Sequence, residues 1–245
     1  MLINLRNALM AGKRKPTARD YVQSGLVAMW DGIENAGWGV HDDEATAVKN
    51  LVTNVSNRFP VSTIGSVSVA SDALRFTCAN GGAFTFSVTS PAATANSTIE
   101  SVWRIVSMPS APTANCYVAQ FLGGYARLPL INSTGAQIAY WGGVGQPILD
   151  ISAVGGTSRI SASWTSDANN GTVCYKYGNV LRTYTSYNAP TGGATAFFYA
   201  PSTTSWPQGT VIDLHSVRIY NRALTASEIA ANYAIDKARF GLPTT

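Results

Sequence analysis

The feature that most constrains this chain is a long succession of short extended runs with no helical period between them. Residues 26–30, 66–70, 73–77, 83–89 and 97–106 come first, and 116–122, 125–131, 137–141, 148–153, 159–165, 173–177, 180–185 and 194–199 follow. Phe84, Phe86 and Val88 alternate with Thr85 and Ser87, the period of two that buries one face of a strand and wets the other. In 97–106, Ile99, Trp103 and Ile105 share the apolar side, so Glu100 and Arg104 are expected on the water side. Trp30, Trp103 and Trp164 fall inside such runs and are expected in the core. Gly123-Gly124, Gly142-Gly143, Gly155-Gly156, Gly178-Asn179 and Gly192-Gly193 punctuate the runs with residues that accept tight hairpin turns. About fourteen strands without crossover helices exclude βαβ units and leave two facing antiparallel sheets as the way to bury both inner faces. No repeat of fixed period is present, which removes propellers and solenoids. The fold class is therefore all-β, a two-sheet antiparallel jelly-roll sandwich.

Only 12% of the residues are charged, against roughly 25% in an average globular domain. The net charge of +4 comes from the start of the chain, where Arg6, Lys13, Arg14, Lys15 and Arg19 precede the first acidic residue, Asp20. The remainder is close to neutral, so no nucleic-acid partner is expected. No segment reaches the ~18 apolar residues that span a bilayer, and no membrane partner is expected. The apolar stretch 8–11 is too short for a secretory signal, so the expected location, a virion or extracellular surface, is reached without one. Leu2, Leu5 and Leu9 have helical spacing before Pro16, which divides the chain into a basic N-terminal arm with a short helix (1–20) and one sandwich domain (21–245). The arm reads as a solvated tail or, alternatively, as a peg by which residues 1–19 hold a homo-oligomer or virion partner. Cys78, Cys116 and Cys174 form no C-x-x-C pair and are expected as small buried side chains.

The end of the chain carries the firmest local signal. In the run 211–220, Ile212 and Leu214 share one parity while Val217 and Ile219 take the other, so a bulge is expected near His215 and Ser216. Thr225 and Glu228 then form a capping box, and Ile229, Ala230, Tyr233, Ala234 and Lys237 continue at helical spacing to Phe240, before Gly241 and Pro243. The run Val217-Arg218-Ile219-Tyr220-Asn221-Arg222-Ala223-Leu224-Thr225, with Glu228-Ile229, resembles the ending of LamG-like jelly-roll domains of the concanavalin A-like lectin and glucanase superfamily. Tyr21 and Gly25-Leu26-Val27-Ala28-Met29-Trp30-Asp31-Gly32 resemble the first strand of that family. The resemblance implies a concanavalin A-like sandwich whose first and last strands pair, with one C-terminal α-helix against an edge. The short basic leader and the stretch Trp30-Asp31-Gly32-Ile33-Glu34-Asn35-Ala36-Gly37 resemble those of phage- or prophage-encoded surface proteins, some of them of the tail or fibre type.

Catalysis is not expected. Glucanases of this superfamily use an E-x-D-x-x-E strand motif with a nucleophile and an acid ~5 Å apart, and this chain has only Glu34, Glu44, Glu100 and Glu228, none so spaced. His41 and His215 stand alone, and His215 reads as a satisfied sheet residue. No metal or cofactor is expected, with calcium as the alternative through Asp31, Asp42, Asp43 and Asn50. For ligand binding, sugar rings stack on exposed aromatic faces and polar neighbours take up hydroxyls. Trp38, Trp141 and Trp206 lie in loops, as do Tyr187 and Asn188, and these five are the candidate ligand-binding residues, against the plainer role of covering the sandwich ends. Three readings follow in order: a module binding a glycan or cell-surface polysaccharide, a structural virion component without sugar binding, and a glycan-active hydrolase.

Overall fold

The computed structural model describes residues 14–34, 51–52, 61–62, 65–78, 85–88, 96–111, 116–121, 126–132, 135–140, 145–149, 158–168, 171–184, 195–199 and 207–244. Fifteen strands among them form two antiparallel sheets, and one α-helix follows. The first sheet contains β1 (Leu26–Asp31), β3 (Gly65–Val69), β4 (Leu74–Cys78), β6 (Ser97–Ser107), β11 (Ile160–Asp167), β12 (Gly171–Lys176), β13 (Asn179–Tyr184) and β15 (Val211–Tyr220). Its order is β13-β12-β11-β6-β15-β4-β3, with β1 also paired to β15. The second contains β2 (Val61–Ser62), β5 (Thr85–Val88), β7 (Cys116–Phe121), β8 (Ala126–Asn132), β9 (Gly135–Tyr140), β10 (Gly145–Leu149) and β14 (Thr195–Tyr199), in the order β10-β9-β8-β7-β14-β5-β2. The chain is an all-β sandwich with a C-terminal helix, as the period of two requires. Of the arm, the described part contains one 3-10 turn, Ala18–Asp20, and the helix expected from Leu2, Leu5 and Leu9 lies outside the described residues.

β15 organises the first sheet. It pairs with β6 along one side for its whole length, while β4 and β1 share its other side end to end, β4 against 211–214 and β1 against 216–220. The register against β6 jumps between Leu214 and Ser216, the bulge expected from the phase shift of the apolar residues. At this junction the Gly32 N–H donates to the His215 carbonyl at 2.8 Å. Any Cβ at Gly32 would lie 2.4 Å from Ala73 Cα, so only glycine lets the β1 end pass the turn before β4.

The two faces of this sheet have different chemistry. Trp30, Trp103 and Trp164 are all buried and, by register with Val217, Leu214 and Ile99, share the face with Ile105, Ile212 and Ile219. Each such side chain contributes roughly 1.5–3 kcal/mol on burial. Cys78 and Cys174 are free and buried, as expected, and the Cys116 side chain lies outside the described residues.

The opposite face carries Glu100, Ser163, Arg218 and Asp31, and α1 (Ala226–Phe240) covers it. Thr225 accepts from the Glu228 N–H and Glu228 caps back on the Thr225 N–H, closing the expected box, and the Gly241 N–H returns to the Lys237 carbonyl. The helix lies across this face rather than against an edge. Its buried side is Ile229, Asn232, Tyr233, Asp236, Arg239 and Phe240, whereas Ala230 and Ala234 face solvent. The buried stripe is thus rotated from Ile229, Ala230, Tyr233, Ala234 and Lys237, the one read in the sequence, because buried charges beneath it need polar partners. For the same reason Glu100 is buried, not on the water side.

The β12–β13 hairpin completes this side. Tyr177 (φ 52°) and Gly178 (φ 75°) both take positive φ, and a Cβ at Gly178 would meet the Tyr233 side chain at 3.0 Å. The non-glycine residue at that turn is held by its hydroxyl, which donates to the Arg159 carbonyl at 3.1 Å, and by its ring against Tyr233.

Candidate functional site

Two polar assemblies occupy the helix-bearing face. The first lies wholly beneath α1. Arg218 donates Nε to Glu100 Oε2 at 2.9 Å and both terminal nitrogens to Asp236 at 2.8 Å. Arg239 clamps Asp31 through two bonds of 2.7 and 2.8 Å and donates to the Tyr21 hydroxyl, which in turn donates to Asp236 at 2.7 Å. Asn232 bridges strand and arm, donating to Glu100 Oε2 and accepting from the Val22 N–H. Glu34 accepts from the Ala18 N–H at 2.9 Å. The backbone entering the sandwich, the last strand and the helix are therefore tied through one network.

Its electrostatics favour structure over chemistry. Burial opposes the Arg218 charge, but Asp236 and Glu100 outweigh it and hold its pKa well above the ordinary value. Burial pushes Glu100 and Glu34 up, and the Arg218 and Ala18 bonds offset this only in part. Tyr21, also desolvated, stays a neutral phenol. Glu100 and Asp236 are bridged by one guanidinium with no route to solvent, since every partner is buried. A hydrolytic acid and nucleophile must reach substrate; this pair does not. Glu228 is held by Arg222 and by the Thr225 N–H, which depress its pKa to about 2. Asp31, weighed above as a calcium ligand, is occupied by Arg239 and by the Ile33 and Glu34 N–H groups. Among the described residues no group of three or more His, Cys, Asp or Glu side chains is placed to hold a metal.

The second assembly lies on the same face beyond the helix, around the β4–β15–β6 crossing. Asp213 takes two bonds from Arg75, at 2.7 and 2.9 Å, and a short bond from Arg104. The carboxylate is buried, while Arg75 is 37% and Arg104 20% exposed. Burial works to raise the Asp213 pKa, but the two arginines prevail and it stays below the usual carboxylate range. Beside them Arg159 donates to Asp72 at 2.7 Å and to the Phe240 carbonyl at 2.7 Å. His215 is satisfied by the Asp72 carbonyl at Nδ1 and by Arg159 at Nε2, and burial depresses its pKa, so it is neutral with the proton on Nδ1. This is the sheet role expected of it.

The sequence placed Arg104 on the water side of its strand but singled out none of these arginines as a functional group. Arg75, Arg104 and Asp213 come from three strands, and only the register of β15 with β4 and β6 places them side by side. Their position between apolar residues of alternating strands gave the face, not the neighbours. Trp38, Trp141, Trp206, Tyr187 and Asn188, the candidate ligand residues, lie outside the described residues, as does His41.

The fold has clear relatives among solved structures. Trypanosoma rangeli sialidase in complex with 2,3-difluorosialic acid aligns at a TM-score of 0.55 and 16% identity, over 91% of this chain and 34% of the sialidase. The binding domain of Paraclostridial Mosquitocidal Protein 1 aligns at 0.58 and 12% identity, over 85% of this chain and 52% of that one. The binding domain of Botulinum neurotoxin DC in complex with rat synaptotagmin II aligns at 0.57 and 12% identity, over 86% and 51%. At these identities the likeness establishes the β-rich fold, and this chain spans about a third of the sialidase and half of the toxin segments. No protein-family model and no curated protein matches the sequence.

Proposed function

We propose that this chain is a non-catalytic module that binds a glycan or another ligand on a cell surface. The observation carrying this reading is the shared fold with two toxin segments described as binding domains, one of them in complex with rat synaptotagmin II, over 85% and 86% of this chain. The engagement of Glu34, Glu100 and Glu228 in backbone and arginine bonds supports a binding rather than a hydrolytic role. The finer reading is a LamG-like domain, which rests on the motifs at 21–32 and 217–229, on a phage tail or fibre at a virion or extracellular surface, which rests on the basic leader and the stretch 30–37.

A glycan array with the purified protein tests this. Saccharide binding that is lost in Trp38→Ala, Trp141→Ala or Trp206→Ala supports the stacking platform. Release of reducing sugar from a polysaccharide would overturn the non-catalytic reading.

A second reading is favoured by the anchoring of Ala18 and Tyr21 beneath α1, which fixes the arm's exit from the sandwich. In it, residues 1–19 hold a virion partner or a second copy, and the sandwich decorates. No binding on the array, together with loss of self-association on deleting residues 1–19, would favour this reading.

A further inference from the structure

We infer that the arginine pair Arg75 and Arg104, on the helix-bearing face beyond α1, is a subsite for the carboxylate or sulfate group of an acidic saccharide. This rests on the glycan-binding reading above and names the ligand class. Three observations carry it. Among the described residues two guanidinium groups share one carboxylate, Asp213, so the pair of arginines keeps one positive charge in excess. Including Arg159 and Asp72 leaves that excess unchanged, since His215 is neutral. Both arginines reach the surface, Arg75 at 37% and Arg104 at 20% exposure, while the buried Asp213 holds them from beneath, so the forks are oriented before a ligand arrives. Part-exposed guanidinium groups with excess cationic charge favour an incoming anionic oxygen, and the planar fork suits carboxylate and sulfate.

The surroundings suit a saccharide rather than an apolar ligand. Ser68, exposed, pairs in register with Arg75, and Ser107 at the end of β6 is half-buried. Arg75 reaches from β4 and Arg104 from β6, on either side of β15, and the two forks converge on Asp213. Asp213, itself buried, orients both arginines and offers no exposed negative charge to repel the ligand.

The test is calorimetric titration with tetragalacturonate, its methyl ester and a sulfated tetrasaccharide, with sodium sulfate alone as a further arm. The acidic oligosaccharides are expected to bind and the uncharged ester to bind about tenfold more weakly, the effect of losing one charge-assisted bond. Arg75→Gln should weaken acidic binding to a similar degree, and Arg75→Lys should restore part of it. Arg14→Gln, a remote basic change, should leave it intact. Should Arg75→Gln unfold, the comparison of acid with ester on the unaltered protein still decides. Equal binding of acid and ester, or acidic binding insensitive to Arg75→Gln, overturns the subsite while leaving a neutral-glycan module standing. Binding of free sulfate as tightly as the sulfated tetrasaccharide overturns the saccharide assignment. Absence of all saccharide binding, here and on the array, overturns both readings.

Discussion

The guanidinium carbon of Arg218 sits 3.9 Å from the centre of the Tyr21 ring, with both side chains buried. A strand near the end of the chain and the segment leading into β1 thus meet face to face, and the same guanidinium neutralises Glu100 and Asp236. Stacking adds a cation–π attraction to the ion pairs where water is excluded.

Replacing Arg218 leaves two carboxylates buried without their cation. Arg218→Met is expected to cost about 3–5 kcal/mol in urea unfolding, the range for breaking a buried pair from one side. A loss below about 1 kcal/mol would show that water enters beneath α1.

Tyr21→Phe keeps the ring under Arg218 and removes only the hydroxyl that joins Asp236 to Arg239. A loss of about 1–3 kcal/mol is expected, the cost of unsatisfied buried polar groups. Deleting residues 1–21 should lower the thermal midpoint markedly.

Gly32→Ala tests the junction on β15. Its Cβ would strike backbone, Ala73 Cα at 2.4 Å, so side-chain rotation cannot relieve it. A destabilisation of about 2 kcal/mol or more is expected from overpacking at a fixed crossing, read by thermal unfolding. An unchanged midpoint would mean that β1 and β4 can separate.

The dependence on pH has two limbs of opposite sign. Glu228 has a folded pKa of about 2 against an ordinary 4.5, so its stabilising contribution is present above pH 4.5 and is lost as pH falls from there through about 2. Glu34 and Glu100 have raised folded values, so their ionisation costs stability as pH climbs past 4.5 and through those values. Glu228→Gln should therefore flatten the acid limb of a denaturation midpoint scan, and Glu34→Gln the limb above pH 4.5. A Glu34→Gln scan parallel to the unaltered protein would contradict the raised value.

Much of the fold was legible because it is local. The change of parity between Leu214 and Val217 located the bulge, Thr225 and Glu228 located the helix start, and Trp30, Trp103 and Trp164 were placed in the core by their position within extended runs. Period two assigns a residue to a face, but it cannot say what covers that face. Glu100 and Arg104 share one face four residues apart, yet only Glu100 lies beneath a helix more than a hundred residues further on. Asn232, Asp236 and Arg239 likewise look like a solvated helix surface until the charges opposite them are known. The Arg75–Asp213–Arg104 cluster depends on sheet order, which alternation along single strands does not encode.

The bonds from Tyr21 to Asp236 and Arg239 bring the entry and exit of the folded body within reach of each other. A chain whose two ends emerge side by side can be spliced into a surface loop of a larger host without stretching it. It can equally be cut elsewhere and rejoined across that gap, so this sandwich is suited to travel as a cassette.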